Sequence, residues 1–184
     1  LKRKDRRCRE WENPALATLG LSSLEALEGR SIKVLGGRLI QDPDPFVLDL
    51  TSADIEWNIP EGVQVSEQQK RDIILAWAVG FESNSNTIVL ARDGFVLANA
   101  VGQQSRVGAA ELAVARAMRA YLDTEGCVAY SDSFFPFPDA LLRLILSGAK
   151  LIFTSISPRK EVWDQMKDIC RACQVILVGI PDAE

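Results

Sequence analysis

Thr87-Ile88-Val89-Leu90-Ala91-Arg92-Asp93-Gly94-Phe95-Val96-Leu97-Ala98-Asn99 is the stretch that decides the fold. Two apolar-rich runs, 87–92 and 95–99, flank Asp93-Gly94, the dipeptide that best tolerates the two positive-φ positions of a tight hairpin turn. A β-hairpin is predicted there. Beyond it, Val107, Ala110, Leu112, Val114, Ala115 and Met118 recur at helical spacing over 106–121, so the hairpin feeds a helix. Strand-like runs follow at 127–130, 150–154 and 175–178, separated by helical patterns within 136–147 and 158–173. Strands alternating with helices imply an α/β fold, a layered sheet with partly parallel pairing.

Upstream, Ser66 and Gln69 form the capping-box pattern, opening a helix that runs through Ile73, Ile74, Ala76, Trp77 and Val79. The segment 41–60 reads as loop with one strand around 55–57. Short strands at 32–35 and 39–40 flank Gly36-Gly37. Asn13-Pro14 offers a cap and a first-turn proline for a short helix carrying Leu16, Leu19, Leu24 and Leu27, interrupted at Gly20. The expected organisation is a basic N-terminal segment with a short helix over 1–29, then one α/β domain over 30–184.

With 184 residues, 47% of them hydrophobic and 25% charged, the chain is long enough to bury a substantial core. A formal net charge of -4 argues against a nucleic-acid surface. The basic run Leu1-Lys2-Arg3-Lys4-Asp5-Arg6-Arg7-Cys8-Arg9 is read as a solvated tail, with a phosphate contact or the cut edge of a longer polypeptide as alternatives. Neither a membrane-spanning run nor a signal-peptide pattern is apparent, so the expectation is a cytoplasmic protein with no membrane partner. The Leu start and the stop soon after a strand-like run suggest trimmed ends. Cys8, Cys127, Cys170 and Cys173 are expected to be reduced thiols. Cys170-Arg171-Ala172-Cys173 has metal-ligand spacing but lacks the His or Cys and Glu partners of a zinc deaminase, so no zinc is expected.

Three segments carry candidate chemistry. Gly102-Gln103-Gln104-Ser105-Arg106 lies between a strand and a helix, where free backbone N–H groups favour an anion. It reads either as a turn capped by Ser105 or as a ligand contact built from Gln103, Gln104 and Arg106. Asn86, in Ser85-Asn86-Thr87, is either a local turn former or a carboxamide that donates to an oxyanion. Ser131-Asp132-Ser133-Phe134-Phe135-Pro136-Phe137-Pro138-Asp139 combines three aromatics, two prolines and acids. Its aromatics either plug the sheet's end or form a rigid wall for a flat heterocycle, with Asp139 accepting from ring nitrogens.

Read together, these segments resemble the folate-facing part of the AICAR transformylases of purine biosynthesis. Gly37-Arg38-Leu39-Ile40-Gln41-Asp42-Pro43-Asp44 is similar to a further stretch of that family. The resemblance runs from about residue 30 to the C-terminus and covers the later half of a transformylase domain. It implies a cytidine-deaminase-like fold and transfer of a formyl group from 10-formyltetrahydrofolate, as cosubstrate, to the 5-amino group of AICAR. It assigns catalysis to Asn86 and substrate or folate binding to Gln103, Gln104, Arg106, Val107, Phe134, Pro136, Phe137 and Asp139. It also implies pairing, as a homodimer or with a partner chain that supplies the missing half.

The sequence departs from the family pattern in several places. Pro138 stands where the family usually has Arg, and Ala98-Asn99-Ala100-Val101 replaces a glycine-rich approach. The Lys-His pair of the family's earlier half has no counterpart, nor does its Arg-x-Phe-x-His ending, and the chain contains no histidine. Three readings follow: a partial transformylase, a non-catalytic folate- or nucleotide-binding module, or a structural domain of the same fold.

Overall fold

A computed structural model describes residues 48–81 and 83–181, and the backbone of 30–34 and 37–41. The helix expected after Asn13 and the basic run lie outside these residues. The chain divides into two compact units, Leu1–Asp49 with Glu184, and Leu50–Ala183. In the first, β1 (Arg30–Val34) and β2 (Gly37–Gln41) pair antiparallel, overlapping the strands expected at 32–35 and 39–40, with Gly37 inside β2 and not between the strands.

The second unit holds β3 (Glu56–Asn58), α1 (Glu67–Phe81), β4 (Ile88–Arg92), β5 (Phe95–Ala100), α2 (Arg106–Arg119) and β6 (Val128–Ser131). It continues with α3 (Asp139–Leu146), β7 (Leu151–Ser155), α4 (Lys160–Ala172) and β8 (Ile176–Ile180). Six strands form one sheet in the order β3-β8-β7-β6-β4-β5. β6, β7 and β8 run parallel, whereas β4 is antiparallel to both β5 and β6, and β3 is antiparallel to β8. The expected α/β class, a hairpin followed by alternating helices and strands, is the architecture observed.

The β4–β5 hairpin turns on Asp93 (φ 55°) and Gly94 (φ 77°), the two left-handed residues of a type I′ turn. A register shift between Leu90 and Ala91 bulges the ladder. α1 starts with the anticipated capping box: the Ser66 N–H donates to Gln69 Oε1 at 2.9 Å and the Gln69 N–H to Ser66 Oγ at 3.1 Å. Its buried face is Asp72, Ile73, Ala76 and Gly80, while Ile74 is exposed, because adjacent residues on a helix point about 100° apart. Gly80 allows close contact with the sheet; a Cβ there would fall 2.4 Å from the Tyr130 ring.

Strand alternation gives the sheet two apolar faces. Ile88, Leu90, Ala129, Ile152 and Leu177 point into a core shared with α2, α3 and α4. α2 meets this core through Ala109, Ala110, Ala113 and Ala117, and Met118 is exposed, so the bulky stripe read from the sequence is not its innermost face. Small side chains let the helix axis approach the sheet, and Val107, Leu112 and Val114 flank the contact half-buried.

Asp72 ties α1 to the hairpin. Its buried carboxylate accepts from the backbone N–H of Asp93 at 2.9 Å and of Gly94 at 2.7 Å, and from Gln68 Nε2 at 2.9 Å. Asp72→Ala strips two turn N–H groups of their acceptor and is expected to destabilise the domain by about 2–3 kcal/mol. Chemical denaturation measures this, and a change below 0.5 kcal/mol would show that water replaces the carboxylate without loss.

Candidate functional site

The three motif segments meet because of strand direction. β4 is antiparallel to both neighbours, so its first residue, Ile88, pairs with Ala100 near the end of β5 and with Ser131 at the end of β6. Residues 84–87, 101–106 and 132–139 are therefore delivered to one end of the sheet. β7 runs parallel to β6, so the loop after Ser155 arrives at the same end. Crevices outside strand carboxyl ends are where open α/β sheets bind ligands.

Backbone bonds join the first two segments. The Gly102 N–H donates to Asn84 O at 2.8 Å, and Asn86 and Gln103 exchange N–H to carbonyl bonds of 3.3 and 3.1 Å. Asn86 Nδ2 also donates to Gln103 O at 2.9 Å, fixing the carboxamide and leaving its second N–H for another acceptor. Ser105 caps α2 by accepting from the Gly108 N–H at 3.1 Å, as the turn reading anticipated. Gln103 Nε2 folds back onto Val101 O at 2.9 Å, and Gln104 is exposed. Val107 is half-buried and packs against the core, so its apolar side chain serves the fold.

Asp132 joins all three segments. Its Oδ1 accepts from the Thr87 N–H at 2.9 Å and from Arg106 Nη1, while its own N–H donates to Thr87 O at 3.3 Å. Arg106 Nη1 donates in addition to Ser131 Oγ at 2.9 Å. The Arg106 and Asp132 side chains are only 9% and 11% exposed. The Ser131 hydroxyl donates to Ser133 O at 2.7 Å, and Thr154 Oγ1 donates to the same carbonyl at 2.9 Å. Asp132 carries no recognisable signal of its own in the sequence. Its partners are Thr87 and Arg106, 45 and 26 residues away in the chain.

The aromatic segment divides its labour. Phe135 is completely buried in the main core, Phe134 and Pro136 are half-buried, and Phe137 is 59% exposed. Phe135 therefore plugs the sheet's end, and the ring available to a ligand is chiefly Phe137. Asp139 opens α3, is exposed, and accepts from the adjacent Ala140 N–H at 2.8 Å through Oδ1. Arg159, from the loop after β7, lies over Phe137 with Cζ 5.1 Å from the ring centroid, and its Nη2 donates to Pro136 O.

The cysteines lie elsewhere. Burial pushes the thiols of Cys127 and Cys170 up to about 12, far from the thiolate form that binds metals or attacks disulfides. Cys173 is exposed just past the end of α4, so the two thiols of the C-x-x-C face different environments. An open groove between α2 and α3, lined by Val114, Met118 and Leu146, is remote in the fold from these motifs.

Residues 13–116, more than half of the chain and including Asn86 and the Gly102–Arg106 turn, match the family model described as AICARFT/IMPCHase bienzyme. The chain belongs to that family. Among curated members it is 34% identical over 161 residues to the bifunctional purine biosynthesis protein PurH of Prochlorococcus marinus (strain MIT 9211), covering 86% of this chain and 29% of that protein. It is 32% identical over 154 residues to PurH of Bacillus cereus (strain B4264), covering 84% of this chain and 28% of that one. The chain thus spans less than a third of the length of these relatives. Among solved structures, a diaminohydroxyphosphoribosylaminopyrimidine deaminase/5-amino-6-(5-phosphoribosylamino)uracil reductase from Thermotoga maritima aligns with a TM-score of 0.39 and 21% identity. That alignment covers 63% of this chain and 35% of the other, a likeness too distant to inform the site.

Proposed function

We propose that this chain is the folate-facing half of a formyltransferase site in purine biosynthesis, in which a formyl group passes from 10-formyltetrahydrofolate to the 5-amino group of AICAR. The observation that carries this reading is the bonding of Asn86 to Gln103, and of Arg106 through Asp132 to the adjacent Thr87, at the sheet end that also bears the Phe134 to Asp139 segment. An amine attacking a formyl carbon generates an oxyanion, and the second N–H of the fixed Asn86 amide is a donor suited to it. Phe134, Pro136 and Phe137 offer a flat apolar surface for the pterin, and Asp139 and Gln104, both exposed, offer polar contacts at its edge.

Amine attack also releases a proton. General bases for this step work best with a pKa near neutrality, and the chain contains no imidazole. The base in this reading comes from another polypeptide segment, on the same chain in a longer protein or on a partner. A binding-only module of the same fold is the second reading, and the absence of histidine from the sequence favours it.

Calorimetry with folic acid and with AICAR, each titrated separately into the chain, tests both. Folate binding without turnover of 10-formyltetrahydrofolate and AICAR is expected. Turnover by the chain alone would overturn the claim that the base is supplied from elsewhere. Binding of neither ligand would overturn the folate-facing assignment itself.

A further inference from the structure

Arg106 and Arg159 both reach the sheet end that carries the motifs, yet their charges are treated differently. Arg106 is buried and answered by Asp132. Arg159 is exposed, and among the described residues no carboxylate pairs with it. Its guanidinium is nevertheless held: one Nη2–H is spent on Pro136 O, and the group stacks on Phe137. A guanidinium has five N–H donors in a rigid plane, so this seat orders the group while leaving donors for a further partner. Within residues 131–139 there is no cation, Pro138 included. The loop after β7 therefore brings to the wall a positive charge that the wall's own sequence lacks. Of the adjacent cations Arg159 and Lys160, Arg159 is the one stacked on the wall.

We propose that Arg159 is a carboxylate-reading residue at the edge of the aromatic wall, and that the wall selects heterocycles bearing an anionic tail. Under the folate reading, on which this proposal rests, the group it reads is a carboxylate of the glutamyl tail. Arg159 forms charge-assisted hydrogen bonds to that carboxylate with the donors not spent on Pro136 O. The stacked geometry reduces the ordering cost of the side chain before the ligand arrives.

Calorimetry on the full chain compares folic acid with its glutamyl dimethyl ester, which keeps the pteridine and removes the two charges. The unmodified chain is expected to bind folic acid about tenfold more tightly than the diester. Arg159→Gln is expected to weaken folic acid to the level of the diester and leave the diester unchanged. Arg159→Lys, which keeps the charge but loses the planar fork, should recover less than half of the lost binding free energy. Lys160→Gln should change neither ligand by more than twofold. Equal binding of acid and diester by the unmodified chain would overturn the proposal while leaving the folate site standing. Equal weakening of both ligands by Arg159→Gln would also overturn it, since Arg159 would then act only by propping Phe137. Binding of neither ligand would remove the folate reading and this proposal with it.

Discussion

Asp132→Ala is expected to destabilise the domain by about 3–5 kcal/mol, because it leaves the Arg106 guanidinium buried without its counter-charge. The same change strips the Thr87 N–H of its acceptor at 2.9 Å, and Thr87 follows directly on Asn86. Arg106→Met is expected to cost less, since the Asp132 carboxylate then still accepts from the Thr87 N–H, whereas Asp132→Ala removes both bonds at once. The double variant should cost less than the sum of the two single changes, as partners of one ion pair require. Guanidinium denaturation of the three variants measures this. A loss below 1 kcal/mol for Asp132→Ala, or strict additivity in the double variant, would show that the pair is not a unit. Folate binding by Asp132→Asn, which keeps an acceptor for Thr87 but loses the charge, should fall, because Arg106 is no longer held beside Ser131.

Most of the architecture was legible where local chemistry decides it. The Asp93-Gly94 hairpin and the Ser66/Gln69 box are set by residues adjacent or three positions apart, and both form as expected. Strand limits differ by one or two residues, as at β4, where Thr87 bonds Asp132 through its N–H and lies just outside the strand. The inward face of α2 is set by Ala109, Ala110, Ala113 and Ala117, which stand out less in a hydrophobic pattern than bulky residues although they decide how close the helix can lie. Long-range pairing was not legible at all. Asp132 meeting Thr87 and Arg106, Arg159 meeting Phe137, and Asp72 meeting the hairpin turn depend on strand order, which the pattern of a single segment does not encode. The motif segments were visible; the carboxylate that binds them into one site was not.

The same limit explains why neighbouring aromatics, indistinguishable by residue type, are expected to behave oppositely. Phe135 is fully buried in the core shared by the sheet and its helices, so Phe135→Ala opens a cavity and is expected to cost about 3–5 kcal/mol. Phe137 is 59% exposed. Phe137→Ala forfeits only the stack with Arg159 and part of an apolar surface, for about 0.5–1 kcal/mol. Ligand binding should reverse this order. Phe137→Ala is expected to weaken folic acid about tenfold or more, because the ring supplies the wall's exposed face and also seats Arg159. Phe135→Leu, a smaller change that retains most of the core volume, should leave binding within twofold while still lowering stability measurably. Paired denaturation and calorimetry on these variants decide between a wall and a plug. If Phe137→Ala binds folic acid as tightly as the unmodified chain, the exposed ring is not part of the ligand surface, and the aromatics serve the fold alone.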